Sequence, residues 1–181
     1  MPLSFDDIET LFAQKGHEQY TGEPVTQLEH ALQTAQLAEH EEADDELVTA
    51  ALLHDLGHLL HDLGATPTLS GVDDVHQFRV IPFLRGVFSD EVLGAIQNHV
   101  DAKRYLCATR AGYFEALSDD SRRSLQLQGG VFTPAEAAAF ARQPGAERAV
   151  MLRIWDDLAK TAGQPTPPLA HYLARARRCA L

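Results

Sequence analysis

Asp44-Asp45-Glu46-Leu47-Val48-Thr49-Ala50-Ala51-Leu52-Leu53-His54-Asp55-Leu56-Gly57-His58 is the stretch that decides the fold. Its three acids suit the positive end of a helix dipole, which predicts a third helix starting there and running towards His58. Val48 to Leu53 is apolar nearly all round, so this helix belongs at the centre of a packed structure rather than on its surface. His54 and His58 then share a face, and Asp55, rotated by about 100°, still reaches a cleft beside them.

The flanking sequence is also helical. Ser4 caps a first helix carrying Ile8, Leu11 and Phe12, which Gly16 stops. Gly22-Glu23-Pro24 breaks the chain, and Thr26 with Glu29 forms a capping box for a second helix striped by Leu28, Leu32, Ala35 and Ala38. Residues 62–72, with Gly64, Pro67 and Gly71, read as a loop, and a helix follows around Val75–Arg85 that Pro82 kinks or shortens. Ser89 opens a helix reaching His99 and towards Lys103. Two or three more fill 112–142, divided at Gly129-Gly130 and restarted by Thr133-Pro134-Ala135-Glu136. Residues 146–162 carry Val150, Met151, Ile154, Trp155 and Leu158 before Gly163, and a short last helix follows Pro165, Pro167 and Pro168. No alternating strand of any length is visible. The expectation is one all-α domain over 1–181.

Composition narrows the partners. The 15 basic and 26 acidic residues leave a net charge of −11, which disfavours nucleic acid or an anionic membrane. No apolar run approaches the ~20 residues of a membrane span. Cys107 and Cys179 form no short-spaced motif, and with the Met1-Pro2-Leu3-Ser4 start they predict a cytoplasmic chain.

The nine histidines are unevenly placed. An isolated His-Asp pair is as readily a polar helix face as a metal site. However, His30, His54-Asp55, His76, His99 and Asp156 fall on separate helical segments, the arrangement by which bundles hold two adjacent cations. Periodicity alone cannot separate Asp156 from Asp157. For Asp73 and Asp74, just before His76, an ordinary role as acids at a helix N-terminus stays open. His17, His40, His61 and His171 lie in polar or terminal contexts without a metal role. His58, Lys103 and Arg153 each stand one helical turn from a candidate ligand, so a net-acidic chain can still present a local anion pocket.

Several stretches together resemble a known family: Tyr20-Thr21-Gly22-Glu23, Gln27-Leu28-Glu29-His30, Leu53-His54-Asp55-Leu56-Gly57-His58, His99 through Tyr105-Leu106, Leu127-Gln128-Gly129-Gly130 and Arg153-Ile154-Trp155-Asp156-Asp157. They are similar to the HD-domain superfamily of metal-dependent proteins. Within it they resemble the mixed-valent di-iron branch that includes myo-inositol oxygenase, and most of all its phosphonate-degrading, PhnZ-type oxygenases. The resemblance implies an HD-domain helical bundle with a dinuclear site at its centre. One iron would be held by His30, His54, Asp55 and Asp156, and the other by His76 and His99, with Asp55 bridging Fe(II) and Fe(III). It implies substrate contacts from His58, Lys103, Arg153, Ser121 and Ser124, with Gln128 adjacent. Tyr20 would cover the second iron until substrate displaces it, and Glu23 would meet a substrate amine. The implied reaction is dioxygen-dependent cleavage of the C–P bond of a 1-hydroxy-2-aminoalkylphosphonate, foremost 2-amino-1-hydroxyethylphosphonate to glycine and phosphate. An upstream 2-oxoglutarate-dependent hydroxylase would supply the substrate. The rival readings are an HD-type phosphohydrolase acting on a nucleotide or phosphoester, and a degenerate HD module that only binds a ligand or partner.

Overall fold

A computed structural model describes residues 1–20, 22–60 and 67–181. The expectation for His61 and the first part of the expected loop, 62–66, therefore lie outside the described residues. Among those described, Pro67–Ser70 form a short 3-10 helix.

Local chemistry accounts for most helix starts. Ser4 and Asp7 exchange reciprocal hydrogen bonds to open α1 (Phe5–Lys15), and Thr26 with Glu29 does the same for α2 (Gln27–His40). Asp44 accepts from the Leu47 N–H to open α3 (Asp45–Leu53), every residue of which from Leu47 to Leu53 is buried. Ser89 stands before α6 (Asp90–Thr109) but does not cap it with its hydroxyl, which instead donates to Glu46 Oε1 at 2.5 Å on the central helix.

Three helical expectations are corrected. The third helix ends at Leu53 rather than reaching His58. His54 is its last helical-angled residue, and Leu56–Leu60 form a tighter 3-10 helix. The helix expected over 75–85 is two short ones, α4 (His76–Arg79) and α5 (Ile81–Leu84), divided at Val80 with Pro82 in the first turn of α5, where its missing N–H costs nothing. Val75, just before α4, adopts φ 48° and ψ 35°, a conformation that a β-branched residue rarely tolerates. The helix expected over 146–162 stops at Leu158, which is exposed rather than part of the buried stripe.

The remaining helices are α6 (Asp90–Thr109), α7 (Tyr113–Ala116), α8 (Asp119–Leu127), α9 (Pro134–Phe140), α10 (Ala146–Leu158) and α11 (Leu169–Arg178). α6 continues past Lys103 to Thr109, which keeps His99 and Lys103 on one helix. Among the described residues no strand exists beyond isolated bridges. α3 packs against α2, α6 and α11, while α10 lies across α6, α2 and α3. Leu52, Leu53, Leu56, Ile96, Leu152 and Trp155 fill the space between them, and this apolar packing is the principal source of stability. The elements bearing the histidines and Asp156 are thus held side by side by the core. No helix among the described residues is long and apolar enough to cross a membrane.

Candidate metal centre

Four imidazoles converge at the middle of the bundle, each fixed from behind. His54 Nδ1 donates to Ala51 O at 2.9 Å and His99 Nδ1 to Ile96 O at 2.6 Å, one turn back along the chain. His30 Nδ1 donates to Ala159 O at 2.9 Å, across the bundle, and His76 Nδ1 lies 2.9 Å from Asp74 Oδ1. A carbonyl only accepts, so for His30, His54 and His99 the proton sits on Nδ1, which leaves Nε2 with a bare lone pair when the ring is neutral. These Nε2 atoms approach each other in two pairs, His30 to His54 at 3.2 Å and His76 to His99 at 3.1 Å. Lone pairs facing at such distances repel unless a cation lies between them.

Asp55 sits between the two pairs. Its Oδ2 is 3.5 Å from His30 Nε2 and 3.3 Å from His54 Nε2, whereas its Oδ1 is 3.2 Å from His76 Nε2 and 3.6 Å from His99 Nε2. Asp156 adds Oδ1 at 3.4 Å from His30 Nε2. Among the described residues three groups have metal-ligating geometry, His30/His54/Asp156, Asp55/His76/His99 and His58/Asp74/His76, the last sharing His76 with the second and having its carboxylate already taken up by the two imidazoles. Asp55 Oδ2 and Asp156 Oδ1 are buried and have no hydrogen-bond partner among the described residues, a costly state that a bound cation would relieve. The donor set therefore fits two metal ions. Asp157, the open alternative, turns away, pairing with Arg153 and accepting the Tyr113 hydroxyl.

The electrostatics agree. Burial alone would neutralise Asp55, but the neighbouring imidazoles of His54 and His58 outweigh it and hold the carboxyl well below its ordinary range. Asp156 is likewise held low against burial by Arg153 and His30. Burial, with His54 and His76 close by, pushes His99 well down and keeps it neutral, the form that ligates. For His30 burial works downwards, yet the adjacent carboxylates of Asp156 and Asp55 push it up to about 9, so positive charge is favoured between them.

A cleft opens above the cluster, lined by Tyr20, His58, Lys103, Ser121, Ser124 and Gln128 among others. Buried Lys103 donates from Nζ to Ser124 Oγ at 2.8 Å. Burial, reinforced by the Arg153 charge, pushes Lys103 down to about 7. The Ser121 N–H is spent on the Ser118 hydroxyl that caps α8. Arg153 places one terminal nitrogen 2.8 Å from Asp156 and the other on Asp157. Its Nε has no partner among the described residues, and neither does Gln128 Oε1. Tyr20 stacks on His30 with centroids 4.0 Å apart. Burial, then the charge of Asp55, raises its phenol well above the ordinary value, and Asp55 is within hydrogen-bonding reach of the hydroxyl. Tyr20 thus stacks on His30 while its hydroxyl faces the carboxylate shared by the two pairs.

His58 departs from its expected place. It lies on the 3-10 helix rather than one α-turn from His54, with Nδ1 2.5 Å from Asp74 Oδ2 and its ring stacked on His76. Asp74 is consequently no ordinary helix-start acid. It is buried between His58 and His76 and orients both, while Asp73 accepts from the Val75 N–H. Asp74 and Lys160, which faces Glu23 at 3.2 Å, are the groups that sequence reasoning missed. Lys160 stands four residues after Asp156, the same spacing that singled out Lys103, so that signal was available. His17, His40 and His171 are exposed, away from the centre.

Two His pairs about one carboxylate, in an all-helical bundle, define a protein able to hold a dinuclear metal site. The HD-domain pattern matches residues 28–176. Hydroxymethylphosphonate dioxygenase of Gimesia maris is 44% identical over 163 residues, covering 90% of this chain and 81% of that protein. The glycine-betaine-forming [1-hydroxy-2-(trimethylamino)ethyl]phosphonate dioxygenase of Leisingera caerulea is 37% identical over 168 residues, covering 93% and 86% respectively. An uncharacterized protein of Acanthamoeba polyphaga mimivirus is 33% identical over 168 residues. The chain belongs to the HD-domain family, among its PhnZ-type phosphonate oxygenases.

Proposed function

We propose that this protein is a di-iron oxygenase that uses dioxygen to cleave the C–P bond of a 1-hydroxyalkylphosphonate, releasing phosphate and a carboxylate. The observation that carries this reading is the placement of Asp55 between two imidazole pairs, directly beneath a cleft containing a buried lysine. In the balance, the C–P and C1–H bonds break and the two atoms of dioxygen end on carbon and phosphorus. Substrates named for the two relatives differ at the end remote from phosphorus, one a simple hydroxymethyl compound and the other bearing a quaternary ammonium. By resemblance, 2-amino-1-hydroxyethylphosphonate, giving glycine, is the aminated substrate to test, supplied by a hydroxylase acting earlier.

His30, His54, Asp55 and Asp156 would hold one iron and His76 with His99 the other, with Asp55 shared. Iron(II)/iron(III) so held would supply the one-electron chemistry that dioxygen requires. The chain's own part is positioning. Lys103 and Ser124 present an ammonium and a hydroxyl to the phosphonate, with the Ser121 hydroxyl, the Arg153 Nε and His58 as further donors. A bound phosphonate beside Lys103 favours its protonated form and so offsets the effect of burial. Asp74 holds the His58 ring against His76, and Tyr20 covers His30, limiting water at the cluster when substrate is absent.

The test is phosphate release by the iron-loaded protein from hydroxyphosphonates, with and without oxygen. Release that strictly requires oxygen is expected. Release from phosphoesters in its absence would replace this reading with an HD-type phosphohydrolase.

A further inference from the structure

Where α10 stops, Ala159 takes φ −82° and ψ 51°, and the chain turns so that Lys160 enters the rim of the cleft. The same Ala159 offers its carbonyl to His30 Nδ1, so the turn that carries Lys160 is tied to the metal cluster. The Lys160 ammonium lies 3.2 Å from Glu23 Oε1 and 5.9 Å from the centroid of the Tyr20 ring. Both charged side chains are largely enclosed, Lys160 at 14% and Glu23 at 10% exposure. The contact is an ion pair without an aligned hydrogen bond.

Glu23 comes from the turn between α1 and α2, where Gly22 at φ 71° allows the chain to fold back and the Glu23 N–H to reach Tyr20 O at 3.0 Å. It is the carboxylate expected to meet a substrate amine, yet an ammonium of the chain itself already stands there. Of the other acids lining the cleft, Asp55 and Asp156 face the imidazoles, Asp74 meets His58 and His76, Asp120 pairs with Arg123 and accepts from Thr68, and Asp73 accepts from the Val75 N–H. A substrate ammonium would therefore share Glu23 with Lys160, or displace it. Displacement would leave Lys160 uncompensated in a cleft that already contains Lys103 and Arg153, a repulsive arrangement of the kind that builds specificity.

We propose that Lys160 determines specificity: it fills, with the chain's own ammonium, the position a substrate amine would take, so the enzyme selects 1-hydroxyphosphonates whose far end carries no cation. The inference builds on the reading of the protein as a hydroxyphosphonate oxygenase. Its test compares hydroxymethylphosphonate with 2-amino-1-hydroxyethylphosphonate in the wild type, Lys160→Met and Glu23→Gln. Two readouts are taken: kcat/KM with oxygen, and Kd by calorimetry on the iron-loaded protein under nitrogen. The wild type is expected to favour hydroxymethylphosphonate by about tenfold or more, the scale of one misplaced charge. Lys160→Met, which frees Glu23, should shift the ratio towards the aminated compound by a similar factor in both readouts, and Glu23→Gln should not. A wild type that prefers the aminated compound, or a ratio unmoved in Lys160→Met, overturns the assignment. If neither compound turns over with oxygen, the oxygenase reading fails, while the Kd ratios under nitrogen still decide the role of Lys160. Absence of binding by both compounds defeats both.

Discussion

Gly57 has no room for a side chain, and the reason lies in the metal centre. A Cβ built there would fall 2.2 Å from the His76 carbonyl oxygen and 2.8 Å from its carbonyl carbon. Both are backbone atoms, which cannot swing aside as a flexible side chain would. The 3-10 turn carrying Gly57 therefore lets the start of α4 approach closely enough for His76 to reach Asp55 at 3.2 Å. Gly57→Ala should destabilise the fold by roughly 1–3 kcal/mol, the usual penalty of overpacking, and push His76 out of reach. Iron measured per folded chain is expected to fall from two towards one, since His30, His54 and Asp156 do not depend on this contact. A variant that folds and still holds two irons would remove Gly57 from the account of the site.

α11 is the element whose attachment depends most visibly on charge. Tyr172, Leu173 and Ala176 bury one face of it, and on its flank Arg175 Nε and Arg178 Nε meet the two oxygens of Asp45 at 2.6 and 2.7 Å. Asp45 is the first residue of the central helix α3, so the pair of arginines couples the chain's end to its core. The Arg178 hydrogen bond, joined by Arg175, lowers Asp45 from 3.8 to about 2 against a smaller effect of burial. A carboxyl lowered on folding contributes stability above its unfolded value, and this contribution is lost as pH falls from 3.8 towards about 2. Because the arginines are partly solvated, the total is at most about 1 kcal/mol. Asp45→Asn should accordingly lower the unfolding free energy from urea titration near neutral pH by that amount, with the difference from wild type closing below pH 3.8. Amide exchange should quicken first in α11. A constant difference at all pH values would assign the effect to packing instead.

For the molecule as a whole, the cluster places buried carboxylates and four imidazoles where an apolar core would be more stable. Asp55 Oδ2 and Asp156 Oδ1, buried without hydrogen-bond partners among the described residues, mark that cost. Metal binding should therefore be read directly in the melting temperature. A ligand that binds only the folded state adds about 2.7 kcal/mol at a concentration 100 times its Kd. Iron(II) added without oxygen to chelator-treated protein is expected to raise Tm by several degrees. Asp55→Ala should abolish both occupancy and the shift, because one carboxylate serves both positions, whereas His76→Ala should retain part of each. Two well-occupied irons in Asp55→Ala, measured by anomalous scattering, would show that Asp55 does not bridge.

The sequence by itself determined the helical class, most helix starts and the converging residues apart from the choice between Asp156 and Asp157. These depend on local chemistry: Ser4 with Asp7 and Thr26 with Glu29 close their hydrogen bonds within three residues, and the apolar run of α3 demands burial wherever it is placed. Only the tertiary structure decided where α3 and α10 stop, because those ends answer to distant partners. His30 reaches Ala159 across 129 residues, and Gly57 yields its space to His76. Periodicity could not tell Asp156 from Asp157, whereas burial beside His30 and the turn towards Tyr113 separate them. It also could not pair Asp74 with His58, nor set Lys160 against Glu23, since both contacts join segments that helical spacing treats as independent. A side chain's residue type is written locally, but the charge it faces is set by whichever segment the core brings beside it.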